Sequence, residues 1–286
     1  PSLLYRIKKF APMQRSEFIS LVPDRSPHQV EGERVVMLPG ITLEILTTRQ
    51  IELEKWVLDE LNDPYWRLYI PTTGEASIWT GPGRGEVRLI PGSAYIISPR
   101  TTFSSHNPEA FGKWYVHFTL GPSADRATPG IFPIAVTRSM RSALADLTER
   151  HDAPGYPWSS ASLVIEALRQ LPAEIWTGRR FDARIERAME FMHANLTRKL
   201  TCSDVAQFAG LSVRSLNHLF QQEIETTPMR ALLDLRLDKA CRLLRHNNDS
   251  IEQIASEAGF PNRYYFSRML KQHRGTSPAA YRQDQA

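Results

Sequence analysis

The chain has 286 residues, 42% of them hydrophobic and 23% charged, with a formal net charge of +4. That length and apolar content suffice for a real core and favour two domains, while no run approaches the ~18 consecutive apolar residues of a membrane helix, which argues against a membrane partner. From residue 179 onward there are 17 Lys+Arg against 12 Asp+Glu, and before it 18 against 19, so the expectation of a polyanionic partner attaches to the C-terminal part.

The first residues, PSLLYRIKKFAPMQRSEF, hold no sustained apolar stretch, so no secretory signal is expected. From about residue 30 to 137 the pattern is mainly strand: ITLEILTTRQIELEKW, WRLYIPTT, EASIWTG, EVRLI, AYIISP and GKWYVHFTL are short β-branched or aromatic runs punctuated by Gly and Pro. Many short strands so spaced favour a β-barrel or sandwich over a parallel α/β sheet. In the last run Trp114, Val116, Phe118 and Leu120 fall on one face, and Tyr115, His117 and Thr119 on the other. After residue 138, SMRSALADLTERH and SSASLVIEALRQLPAEIW read as amphipathic helices. The stripe Leu163, Val164, Ala167, Leu168, Leu171, Ile175 suits either packing on the protein's own barrel or a dimer seam. Thr177-Gly178 marks a short linker, and the remainder reads as helical. Cys202 and Cys241 fall in helical segments and are expected to be reduced core thiols of a cytoplasmic protein; neither CxxC nor a Cys/His cluster points to zinc.

The C-terminal segment repeats itself. DVAQFAGLSVRSLNHLFQQEIETTPMRAL (204–232) lies over EQIASEAGFPNRYYFSRMLKQHRGTSPAAYR (252–282), with Ala209-Gly210 matching Ala258-Gly259 and, one residue out of step, Phe220 matching Leu270. Each copy opens with a capping box, Thr201 with Asp204 and Ser250 with Gln253. Each first helix ends at Ala-Gly, where glycine can reverse the chain in the left-handed conformation. A second helix follows, held by Leu216, Leu219 and Phe220 in one copy and by Tyr265, Phe266, Met269 and Leu270 in the other. That is a helix-turn-helix, whose second helix enters a DNA major groove. TPMRALLDLRLDKACRLLRH between the copies starts with Thr at N-cap and Pro at N1, and reads as a rod of roughly 27 Å. The expected fold is α+β: a barrel with flanking helices over residues 1–176, and an all-α domain over 177–286 with two helix-turn-helix motifs joined by a linker helix.

Residues 182 to 283, above all IASEAGFPNRYYFSRMLKQHRGTSPAAYR and the LxxxRLDKACRLL linker, resemble the DNA-binding domain of the AraC/XylS family of bacterial transcription regulators. The resemblance implies that Arg214, Asn217 and His218 of the first recognition helix, and Arg263, Tyr264 and Arg268 of the second, read base edges. Arg can bond bidentately to guanine and Asn to adenine. Ser212, Ser215, Asn262, Ser267, Lys271 and Arg274 are expected at phosphates. It further implies a homodimer on repeated half-sites of double-stranded DNA, with RNA polymerase as a further partner.

RLIPGSAYIISPRTTFSSHN followed by KWYVHFTL resembles the cupin-like effector domain that many such regulators carry. The expected ligand is a small molecule, with a carbohydrate as the leading choice, and His106, Trp114, Tyr115, His117 and Trp79 are the pocket candidates. Ser104 stands where a cupin metal histidine is expected, and no His-x-His pair accompanies it, so neither a metal nor a cofactor is expected. The alternatives are a metal-dependent cupin enzyme with a DNA-binding tail, and a DNA-binding dimer whose barrel binds no effector.

Overall fold

The computed structural model describes residues 41–81, 85–149, 156–176 and 181–283. The start of the strand-rich region, placed at about residue 30, and the linker at Thr177-Gly178 lie outside the described residues.

Strands β1 (Glu44–Leu53), β3 (Trp66–Thr73), β6 (Ser93–Ile97), β8 (Phe111–Thr119) and β9 (Ile131–Ala135) form a five-stranded sheet in the order β1-β8-β3-β6-β9. Strands β2 (Leu58–Leu61), β4 (Ala76–Trp79), β5 (Glu86–Leu89) and β7 (Phe103–His106) form a four-stranded sheet in the order β2-β7-β4-β5. Every pairing is antiparallel. The two sheets enclose Trp56, Tyr69, Ile78, Leu89, Tyr95, Ile97, Phe103 and Phe111, giving the barrel-like unit that the short strands implied.

Strand alternation sends β3 and β8 in two directions. Trp66, Leu68, Ile70, Trp114, Val116 and Phe118 leave the inter-sheet core and pack against α1 (Arg138–Glu149) and α2 (Tyr156–Leu168). Leu163, Val164 and Ala167 of α2 are fully buried in that layer, so the helix stripe serves the protein's own core. Trp158 and Ile165, on the other face of α2, are exposed. The helix ends at Leu168 and does not run on to residue 176. Pro172, which cannot supply an interior N–H, starts the short 3₁₀ turn Ala173–Ile175 instead.

The C-terminal domain comprises α3 (Ala183–Ala194), α4 (Cys202–Ala209), α5 (Val213–Ile224), α6 (Pro228–His246), α7 (Ile251–Glu257), α8 (Arg263–Arg274) and α9 (Pro278–Gln283). Both capping boxes are present, at Thr201/Asp204 and Ser250/Gln253, and Gly210 and Gly259 take φ of +69° and +83°. Thr227 caps α6 and Pro228 follows at its start. The 19 residues of α6 carry two cores: Ala231 and Leu232 join the one built on α3, α4 and α5, while Leu237, Ala240, Cys241 and Leu244 join the one built on α7, α8 and α9. The helix is thus the common wall of two helix-turn-helix units and spans roughly 28 Å at 1.5 Å per residue.

Candidate nucleic-acid interface

The two second helices present the same profile. In α5 the buried positions are Leu216 and Phe220, in α8 Phe266 and Leu270, each fifty residues on, and the residues between follow one shared order of exposure. The buried positions stay large and apolar, Leu216 and Phe220 against Phe266 and Leu270, whereas at exposed positions the chemistry changes: Arg214 matches Tyr264, Ser215 matches Tyr265 and His218 matches Arg268 across the repeat. A seating face constant in character and an outward face of varied chemistry is what two readers of different base sequence require.

The structure places the expected residues as follows. Arg214, Ser215, His218, Arg263, Tyr264, Arg268 and Lys271 are exposed, Tyr264 at 71%. Arg263 lies 4.8 Å from the Tyr264 ring and donates to its hydroxyl at 2.9 Å, which holds two neighbouring groups as one unit. Arg268 stacks on Tyr265 at 5.4 Å. Asn217 is half-buried and turned back on its own helix, donating to the Val213 carbonyl at 2.8 Å. Ser212 and Asn262 are N-caps, accepting from the backbone of Ser215 at 3.1 Å and of Tyr265 at 2.9 Å. Ser267 is half-buried. Arg274 points away from the recognition surface and donates to Asp238 at 2.7 Å, because that carboxylate lies buried on α6.

Of the pocket candidates, Tyr115 and His117 lie on the inner face of the five-stranded sheet. Trp114 lies on the opposite face, 5% exposed, in the layer under the helices. Trp79 and His106 are on the outer face of the four-stranded sheet: they pair with Ser104 and Ser77, and it is the intervening Ile78 that points inward. Among the described residues no three or more His, Cys, Asp or Glu side chains group closely enough to hold a metal.

What sequence reasoning missed is the junction between the two domains. Asp63, in the loop before β3, is 1% exposed and receives four donors: Tyr65 at 2.9 Å and Arg67 at 2.5 Å from its own domain, Arg245 at 3.2 Å and Tyr281 at 2.5 Å from the C-terminal domain. Burial alone would raise the Asp63 pKa, but the two guanidiniums and two hydroxyls hold it below its ordinary value. Asp238 of α6 repeats the arrangement from the other side, shared by Arg100 of the N-terminal domain and Arg274. His117 and His246, one from each domain, stand with ring centroids 5.2 Å apart. A cleft of about 910 Å³ opens beside this junction, lined by Asn62, Arg100, Arg245, His273, Arg274 and Tyr281 among others. Alternation in KWYVHF gave a signal for one part of it, since Lys113 shares the face of Tyr115 and His117. The remainder joins residues far apart in sequence.

Comparison with known proteins agrees with the repeat. Residues 205–284 match the family model described as a helix-turn-helix domain. The HTH-type transcriptional activator RhaS of Escherichia fergusonii is 34% identical over 102 residues, 36% of this chain and 37% of that protein. The raffinose operon transcriptional regulatory protein RafR of Pediococcus pentosaceus is 32% identical over 95 residues, 33% of this chain and 34% of the relative. The chain thus spans about a third of the length of the curated relatives it matches, and that third is the C-terminal domain. The crystal structure of apo ToxT K231A from Vibrio cholerae superposes over 84% of this chain and 97% of its own, with a TM-score of 0.52 at 13% identity. The likeness in fold therefore extends through both domains. Among the described residues no helix is long and apolar enough to cross a membrane.

Proposed function

We propose, from the premise that the C-terminal domain is a helix-turn-helix domain of the AraC type, that the chain is a sequence-specific DNA-binding transcription regulator, not an enzyme, whose N-terminal domain senses a small molecule. The observation that carries this reading is the pair α5 and α8. Two helices seated identically on a single rod expose different hydrogen-bonding residues on one basic domain. Exposed Arg, His and Tyr at groove-facing positions supply base contacts, and capped helix starts at Ser212 and Asn262 supply backbone N–H groups to phosphates.

The reading includes a homodimer in the cytoplasm that acts on promoter DNA with RNA polymerase. The exposed side of α2, with Trp158 and Ile165, supports the dimer. The raffinose operon regulator among the relatives supports a carbohydrate effector, although the match to it covers only the DNA-binding domain. The test is selection of duplexes from a random library by the full chain at fixed salt, followed by footprinting. Protection of two adjacent major-groove segments, lost when His218 and Arg268 are both replaced by Ala, supports the reading. Binding that depends on salt but not on sequence sinks it.

A further inference from the structure

The inner face of the five-stranded sheet carries an unusual load. Residues directly opposite one another in an antiparallel pair share a face, so the register sets three rows across it. Thr47, His117, Arg67 and Ile97 form one, Arg49, Tyr115, Tyr69 and Tyr95 the next, and Ile51, Lys113 and Pro71 the third. Between two sheets, where apolar side chains are the rule, this face presents Arg67, Lys113 and His117.

These groups lack what buried polar groups normally have. Arg67 is 0% exposed, and while its Nη2 reaches Asp63, its Nε and Nη1 have no hydrogen-bond partner. Both ring nitrogens of His117 are buried without a partner, and so is Nε2 of His246 directly across the domain junction. Lys113, 3% exposed, sits with Nζ 3.4 Å from the centre of the Trp56 ring and 3.8 Å from that of Tyr69. Burial, and then the neighbouring guanidinium of Arg67, hold the Lys113 amine well below the ordinary lysine range. Buried donors without acceptors cost free energy that an occupant with acceptor oxygens recovers, and a carboxylate matches the free edge of a guanidinium.

We propose that the inner face of this sheet, beneath His246, holds the carboxylate of a small acidic ligand, received by Arg67 together with Lys113 and His117. The inference rests on the reading of the N-terminal domain as the sensing unit and names the chemistry it senses. Arg67 supplies the standing positive charge and two free N–H donors, Lys113 adds donors, and Tyr115 stands beside His117 on the same face. Arg245 and Tyr281 both bind Asp63 and line the interdomain cleft, so the site and the cleft share a wall. Occupancy is felt by the DNA-binding domain through the same carboxylate. A ligand anion on Arg67 leaves Asp63 to Arg245 and Tyr281, which tightens the docking of α6.

The experiment is calorimetric and thermal titration of the full chain with sodium benzoate and sodium galacturonate, each beside its uncharged methyl ester. The expected result is saturable binding and a raised unfolding midpoint with at least one acid, and with neither ester. Benzoate alone identifies an aromatic acid, galacturonate alone a sugar acid, and both together a site for which the carboxylate suffices. Lys113→Met, which fills the aromatic box with an uncharged chain, weakens that binding at least tenfold. Arg67→Lys, which keeps a cation on Asp63 but removes the unpartnered donors, does the same, and decides the matter if the first variant does not fold. No binding of either acid, esters as effective as acids, or full affinity in both variants overturns the proposal. The readout involves no DNA, so failure of sequence-specific DNA binding would be seen separately and would leave the acid site standing.

Discussion

Tyr281, in the last helix, donates its phenolic O–H to Asp63 at 2.5 Å across a sequence separation of 218 residues. The contact ties the final turn of the DNA-binding domain to the loop that precedes β3. It has company: Arg245, at the end of α6, donates to the same Asp63 oxygen at 3.2 Å. The C-terminal domain is therefore docked on the N-terminal one through a carboxylate that is out of reach of water.

Asp63→Asn should consequently cost more than Tyr281→Phe. The amide removes the charge that Arg67 and Arg245 share, and breaking a buried pair in this way costs about 3–5 kcal/mol. Tyr281→Phe removes one hydrogen bond to a charged group, roughly 1.5–3 kcal/mol. Urea unfolding followed by tryptophan fluorescence checks the order. Asp63→Asn is further expected to split one transition into two as the domains part.

Asp125 gives a pH dependence of opposite sign to Asp63. Burial raises its pKa to about 7, against the acceptor bonds it makes to the Leu120 backbone N–H at 2.8 Å and Trp66 Nε1 at 3.0 Å. A carboxyl whose pKa is higher in the folded state than in the unfolded one holds its proton more tightly when folded, so its contribution falls as pH rises from about 4 to about 7. Asp125→Asn keeps an acceptor oxygen for both donors and cannot ionise. The thermal midpoint of the wild type relative to this variant should decline across that window and level off above it, and a constant difference would contradict the assignment.

The two chain-reversing glycines should respond differently to the same change. A Cβ on Gly210 meets nothing within 4 Å, so Gly210→Ala costs only the left-handed backbone, about 1–2 kcal/mol. A Cβ on Gly259 would stand 1.9 Å from the Leu196 carbonyl oxygen, in the first helix-turn-helix unit. Gly259→Ala must therefore push the two units apart as well. It should lose more stability in denaturant melts and reduce binding to DNA carrying both segments more than to DNA carrying one.

Tyr264 and Arg268 are exposed and carry no part of the core. Replacing either with Ala should leave the unfolding midpoint near the wild-type value while lowering specific DNA affinity by about 1–3 kcal/mol per lost base contact. Competition gel shifts at constant salt measure it, with Leu270→Ala, in the seating face, as the contrasting variant that loses stability.

The repeat, its caps, its glycine turns and the long joining helix were all legible in the amino-acid sequence. Each of these signals is local: Thr201 with Asp204, Ser250 with Gln253 and Thr227 with Pro228 act over a turn of helix, and the seating residues recur on a 3.6-residue period. The β-rich character of the N-terminal half was legible for the same reason, whereas the division into two sheets, and the strands β2, β7 and β9, depended on which runs met. Face assignment shows the limit most plainly. Alternation put Trp114 and His117 on opposite sides of β8, but only the placement of α1 and α2 on one side, and of the second sheet on the other, decided which side was the interior. The docking of the domains through Asp63 had no sequence signal. Asp63, Arg245 and Tyr281 are ordinary residues in their own surroundings, and their shared charge and hydrogen bonds exist because folding removes water from all three at once.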